Sequence, residues 1–280
     1  MIQQQVQSVV MEGIRKSVKV ISSDTDVFVL LCSNFDKHNW QSVNLYMDTF
    51  VENSKLISIN KSAEANKSIV SSLVPLHALS GCDSVPMMFG IGKSKALKNQ
   101  MPLHHVGNKK SVLKDVLKEG FEFVASCYGV KEIDFSKIRQ SLWVKKTDEL
   151  SRNSKPPSLK ILPPTKEALE LNIKRAHYTA ILWNDSITGI MPNLDPCDYG
   201  WEKDINGFLQ PVMLPKGVPV APEEVLTMTR CKCSASKCHN GRCSCFRAGL
   251  KCTELCSCNQ CETQNEQSIE SESEKDFEDN

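Results

Sequence analysis

No stretch of this 280-residue chain is long and apolar enough to cross a bilayer: the longest apolar run, VFVLLC at 27–32, has six residues, where about 20 are needed. The opening MIQQQVQSVVMEGIRK has no basic segment followed by an apolar one, so it does not read as a secretory leader. Bulk charge of one sign is missing too. The net charge is +1, so any nucleic-acid reading must rest on local patches. There is no internal repeat, no nucleotide-binding glycine loop and no Ser/His/Asp arrangement. His104-His105 and His177 have no partner at ligand spacing and read as surface or core residues. These absences leave an intracellular chain without a membrane partner. Its length suits about two domains, and its 40% hydrophobic content suits one sizeable core.

What the chain has in abundance is cysteine, thirteen in all. Cys32, Cys82, Cys127 and Cys197 are scattered singly and read as small buried hydrophobes. The other nine are Cys231, Cys233, Cys238, Cys243, Cys245, Cys252, Cys256, Cys258 and Cys261, spaced C-x-C-x4-C-x4-C-x-C-x6-C-x3-C-x-C-x2-C. A disulfide knot is the alternative, but an odd number of thiols without a secretory leader favours metal ligation. Zinc takes four thiolates at tetrahedral geometry. Two isolated sites would leave one of the nine sulfurs over, whereas three zincs use all nine if three bridge and six bind once. Phe246, Leu250 and Leu255 are the only large apolar residues in the block, so metal must supply its folding free energy.

From Arg230 to Cys261 the block also carries Arg230, Lys232, Lys237, Arg242, Arg247 and Lys251 against one acid, Glu254. With three Zn²⁺ and nine thiolates it ends mildly positive, enough for a few phosphate contacts. Alternatively, these cations only neutralise and solvate the cluster. The final NEQSIESESEKDFEDN, with seven acids against one lysine, reads as a disordered acidic tail that competes with DNA for the same face.

Upstream, the chain divides into an α/β domain at 1–150, a proline-rich linker with an amphipathic helix and an irregular segment at 151–228, the cysteine block at 229–262 and the acidic tail at 263–280. SVKVISS and KLISIN read as strands, and SAEANKSIVSSLVPLHAL as a helix. NKKSVLKDVLKEGFEFVASCYG has helical spacing with a break expected at Gly120, and SKIRQSLWVKKTDEL adds a helix. KEALELNIKRAHYTAILW places Leu169, Ile173, Ala176, Ala180 and Trp183 on one face. From NDSITG to VAPEEV the chain reads as irregular.

DTDVFVLL sets Asp24 and Asp26 at the polar end of a strand, and GCDS adds Asp83. Clustered carboxylates at strand ends suit Mg²⁺ or Mn²⁺, and two such ions would activate water for phosphodiester hydrolysis. A turn or helix N-cap explains a D-x-D as readily. The glycines of Gly90-Ile91-Gly92 offer backbone N–H groups to a phosphate.

Two resemblances carry these readings further. The cysteine spacing resembles the CXC domain of tesmin-type transcriptional regulators, which implies a three-zinc, nine-cysteine cluster and double-stranded DNA as partner. Those proteins carry two copies and a tyrosine before C-x-C-F; here there is one copy, with Arg242 before Cys243-Ser244-Cys245-Phe246. This R-C-x-C form looks like the version in dosage-compensation ubiquitin ligases, which implies an arginine in the groove.

Over residues 17–100, Asp24-x-Asp26 and Gly81-Cys82-Asp83, then Gly90-Ile91-Gly92 and Ala96, resemble the flap endonuclease (XPG) branch of PIN-like nucleases. That resemblance makes Asp24, Asp26 and Asp83 metal ligands, and Gly90 and Gly92 part of a DNA-gripping hairpin. The family's first acidic strand is not found upstream of Asp24, where Glu12 is the single acid. The domain is thus expected to be truncated or decayed. The whole arrangement resembles proteins derived from mobile elements.

Three functions compete. One is a nuclear zinc-cluster DNA-binding protein with a degenerate nuclease-like domain. The second is an active Mg²⁺- or Mn²⁺-dependent nuclease targeted by its CXC block. The third is a structural zinc module for protein interaction.

Overall fold

The computed structural model describes residues 2–13, 16–50, 56–148 and 159–214, and, in the cysteine block, 231, 233, 238, 242–247, 252, 256 and 258. The chain mixes helix and strand in two compact units: residues 1–135 with 166–214, and residues 136–165 with 215–280.

The first unit is built on a small sheet ordered β1 (Ser17–Ile21), β2 (Asn44–Asp48), β3 (Ile57–Ser58). β1 and β2 run parallel, pairing Ser17 with Asn44 through Ile21 with Asp48, and β3 runs antiparallel to β2. A parallel pair needs a crossover, which α2 (Thr25–Lys37) supplies. VFVLL therefore lies in a helix, a correction to its reading as part of the strand that ends in the two aspartates. β1 stops at Ile21, and Asp24 caps the helix: its carboxylate accepts the Asp26 N–H at 2.8 Å.

β2 is the strand that sequence reading missed. Its alternation puts Leu45 and Met47 into the core, with Leu31, Phe35, Trp40 and Ile59. α1 (Ile2–Glu12) closes this core; Gln7 Oε1 accepts from the buried Trp40 Nε1 at 2.6 Å.

KLISIN keeps only two strand residues, because Ser58 caps α3 (Ile59–Ala65) by accepting the Lys61 N–H. The single helix expected over SAEANKSIVSSLVPLHAL is two, α3 and α4 (Leu73–Leu79), separated by a 3₁₀ turn at Val70–Ser72. α5 (Lys93–Lys98) follows the Gly90–Gly92 turn. α6 (Leu113–Cys127) runs straight through Gly120. The glycine serves close packing there: a Cβ at 120 would stand 2.7 Å from Ile173 Cγ2.

Beyond α7 (Phe135–Asp148), α8 (Lys166–Asp185) packs on α4 and α6. Leu169, Ile173, Ala176 and Ala180 of the expected face are at most 2% exposed, Trp183 is only half-buried, and Arg175, His177, Thr179 and Ile181 are buried as well. The stretch read as irregular contains a hairpin, β4 (Trp201–Lys203) with β5 (Leu209–Pro211). Its turn is held by the Asp204 carboxylate, which accepts from the Asn206 and Phe208 N–H groups. In the second unit, Trp143 of α7 packs with Leu159 and Leu162.

One buried carboxylate organises the loop before α6. Glu119 accepts three backbone N–H groups, from His104, His105 and Val106, at 2.6–2.9 Å. The next residue in that loop, Gly107, donates its N–H to His177 Nδ1 of α8 at 2.9 Å. Both links join segments distant in sequence through orphan backbone donors.

Two outcomes follow from these links. Glu119→Ala leaves the buried Val106 donor and two part-buried ones without their partner, a buried one costing about 1–3 kcal/mol, so the urea midpoint should fall by the equivalent of about 2 kcal/mol or more. Burial lowers the His177 pKa from 6.5 to about 4. The unfolded chain then binds the extra proton, so stability is complete above pH 6.5 and declines as pH falls toward 4, by up to about 3 kcal/mol. His177→Asn, which keeps an acceptor, should flatten that part of a urea-midpoint profile. An unchanged slope would assign it elsewhere.

Candidate metal centre

The cysteine block has no apolar interior among its described residues. Cys231, Cys238, Cys243, Cys245, Cys252, Cys256 and Cys258 are 0–6% exposed and pack on one another, with Cys233 half-buried beside them. Phe246, the block's one described aromatic residue, faces outward, 47% exposed. Sulfur therefore fills the place a hydrophobic core would take.

The sulfur spacing tells what holds them. Cys231 Sγ lies 4.0 Å from Cys238 Sγ, 3.8 Å from Cys252 Sγ and 3.3 Å from Cys258 Sγ. Cys243 and Cys252 are 3.8 Å apart, and Cys245 and Cys256 are 3.4 Å apart. A disulfide requires about 2.0 Å. Four sulfurs about 2.3 Å from a tetrahedral zinc stand about 3.8 Å from each other. The thiols thus fit a metal and not a bridge.

Three sets of four sulfurs each lie within 4.8 Å of one another: Cys231, Cys238, Cys252 and Cys258; Cys231, Cys233, Cys238 and Cys243; and Cys231, Cys245, Cys252 and Cys256. They overlap, with Cys231 in all three and Cys238 and Cys252 in two each. Cys261 lies outside the described residues.

Local backbone supports thiolate character. The single turn α9 (Ser244–Arg247) starts just after Cys243, whose Sγ accepts the Phe246 N–H at 3.5 Å. Cys256 Sγ accepts the Cys231 N–H at the same distance. Burial pushes the thiols of Cys238 and Cys245 upward, and that of Cys258 to about 11. Such groups stay protonated unless a cation displaces the proton, so metal and proton compete for these sulfurs.

Arg242 and Arg247 flank the Cys243–Cys245 pair, and both side chains are exposed. Lys232, Lys237 and Lys251 lie outside the described residues, as does Arg230.

The aspartates sit differently. Asp24 and Asp83 are exposed, Asp24 at the N-cap of α2 and Asp83 in a tight turn closed by the Cys82–Val85 backbone pair. Asp26 Oδ1 is 2.6 Å from His77 Nε2 of α4. Burial pushes the His77 pKa down, and Asp26 opposes that shift. Lys93 donates to the carbonyls of His77 and Gly81. Among the described residues, every group of three or more metal-capable side chains within 4.8 Å lies in the cysteine block, and none includes an aspartate.

Gly90 adopts φ +72, Ile91 is buried and Gly92 begins α5 in extended backbone. Sequence reading did not single out His77 or Lys93. Their partners lie 51 and 16 residues away, and no local pattern marks such a pairing.

A family model for the Tesmin/TSO1-like CXC domain, cysteine-rich domain, matches residues 228–265. That segment is a CXC domain, and its clustered cysteines suit zinc. Comparison with curated proteins and with solved structures gives no match. No described helix is long and apolar enough to cross a membrane.

The overlap of the three sulfur sets generates a test. Cys231→Ser should lower the zinc content, read by elemental analysis of the full chain, more than Cys233→Ser, since Cys233 belongs to one set. Cys197→Ser, at an exposed cysteine outside the block, should leave it unchanged.

Proposed function

We propose that this chain is a nuclear DNA-binding protein whose CXC domain folds around three zinc ions, and whose α/β unit is a scaffold. The observation that carries the reading is the overlap of the three sulfur sets. Twelve metal–sulfur bonds are needed for three tetrahedral zincs. Cys238 and Cys252 already serve two sets each, and Cys231 serves three. If Cys261 takes one of the places counted to Cys231, then Cys231, Cys238 and Cys252 bridge and the other six cysteines bind once. All nine thiols are then used.

DNA is the partner because Arg242 and Arg247 stand exposed on either side of a compact cluster. Lys232, Lys237 and Lys251 add charge within the same block. Phosphate contacts of this kind release counterions, so affinity falls with salt. Arg242, directly before the C-x-C pair, is the residue we assign to a groove.

The α/β unit has a parallel β1–α2–β2 crossover, with Asp24 capping α2 and Asp26 in its first turn. A nuclease reading needs Asp24, Asp26 and Asp83 to gather Mg²⁺ or Mn²⁺. Against it, Asp26 is engaged by His77 and the Lys93 ammonium lies in the same neighbourhood. That carboxylate is thus already hydrogen-bonded within the protein, with a lysine ammonium nearby. Cleavage of a flapped duplex with Mn²⁺, lost in Asp26→Asn, would restore the nuclease reading.

Zinc analysis should give about three ions per chain if nine sulfurs share them. Duplex affinity should fall steeply with salt, and Arg242→Ala should weaken it by about 10-fold or more, the scale of one groove contact of about 1–3 kcal/mol. A log K independent of log[salt] would leave only a protein-interaction module.

A further inference from the structure

The first unit holds a cavity of about 630 Å³ that the proposed DNA-binding role does not use. One wall is a single face of α8, with Ala168, Leu171, Asn172 and Arg175 at successive helical spacing. The turn at 82–86 and the segment after β5 close the other sides, and Trp201 lines it as well. A volume of this size suits a small organic ligand.

Arg175 is the unusual element. It is 6% exposed, and among the described residues no carboxylate is its partner. Nη1 donates to the Gly200 carbonyl at 3.0 Å and reaches toward that of Val212 at 3.4 Å. Nη2 is held by Asn172 Oδ1, and Nε is buried with no partner. The guanidinium carbon lies 5.9 Å from the centre of the Trp201 ring, whose Nε1 is buried and unpartnered too. Burial alone lowers the Arg175 pKa, with no acid opposing it.

A buried cation without a counter-ion is costly. The Nε and Nη2 edge is the side-on fork that fits a carboxylate. Here a neutral amide accepts from Nη2, and Nε is covered without making a hydrogen bond. Asn172, itself a wall of the cavity, stands where a ligand oxygen would.

The remaining lining decides the body of the ligand. Val85, Pro86, Leu171, Val212 and Leu214 are apolar, and Asp83 is exposed in the 82–86 turn. A second negative charge on the ligand would meet Asp83 without a second cation to offset it. Phosphates and polyanions are therefore disfavoured.

We propose that this cavity binds a small apolar monocarboxylate, with its carboxylate displacing Asn172 from the side-on edge of Arg175 and its hydrocarbon body along Leu171 and Val212. The test uses the zinc-loaded full chain, with octanoate, 1-octanol and inorganic phosphate as probes in calorimetry. Octanoate should bind about tenfold or more tighter than 1-octanol, the scale of one charge-assisted hydrogen bond, and phosphate should not bind. Ala168→Phe, at a half-buried position, should fill the cavity and abolish octanoate binding without unfolding the chain, and Arg175→Met should remove the preference over octanol. Equal binding of octanol, equal binding of phosphate, or octanoate binding unaffected by Ala168→Phe would each overturn the assignment. So would binding of an N-acetylated Val-Leu-Phe peptide with a free C-terminus when octanoate fails, since the carboxylate would then be a peptide's.

Discussion

Thiols crowded at 3.3–4.0 Å, with no greasy side chain described among them, cannot hold a chain together by themselves. Burial keeps thiols such as Cys238 protonated, and protonated sulfurs are weak hydrogen-bond partners. A divalent metal reverses this balance: it displaces the protons, draws the sulfurs into a fixed geometry and contributes folding free energy directly. Everything assigned to the CXC domain, including the placement of its arginines, depends on that exchange of proton for metal. Cys243 and Cys245, and Cys256 and Cys258, fall in different sulfur sets, whereas Cys231 and Cys233 share one.

The α/β unit solves its polar problems differently, with backbone and side chains instead of metal. Glu119 gathers three N–H groups that no helix or strand satisfies. Asp26 has His77 as its partner, and Lys93 ties the start of α5 to the end of α4. Against this background of matched groups, the Arg175 guanidinium stands out as a buried cation without an acid, set in the wall of a cavity. The contrast gives the cavity its chemical meaning.

The cysteine cluster was legible in the chain itself because it is local: the nine cysteines lie within thirty-one residues, and zinc ligation depends on such spacing. The amphipathic face of α8 was legible for a similar reason, since helical periodicity repeats within a single element. β2 was missed because five residues of alternation are too short to separate from a loop until β1 pairs with them. Gly120 was misread as a break because glycine weakens an isolated helix, whereas here it lets α6 approach Ile173.

What the sequence alone determined, then, is the cysteine block, the local charge around it and the helices with a clear apolar face. All of these are written in neighbouring residues. Tertiary structure alone decided that Asp26 meets His77 across 51 positions and that Arg175 lies against Trp201 with no counter-ion among the described residues. Such pairings depend on which distant segments are folded against each other, and the energy of a buried charge is set by those neighbours and not by its place in the chain.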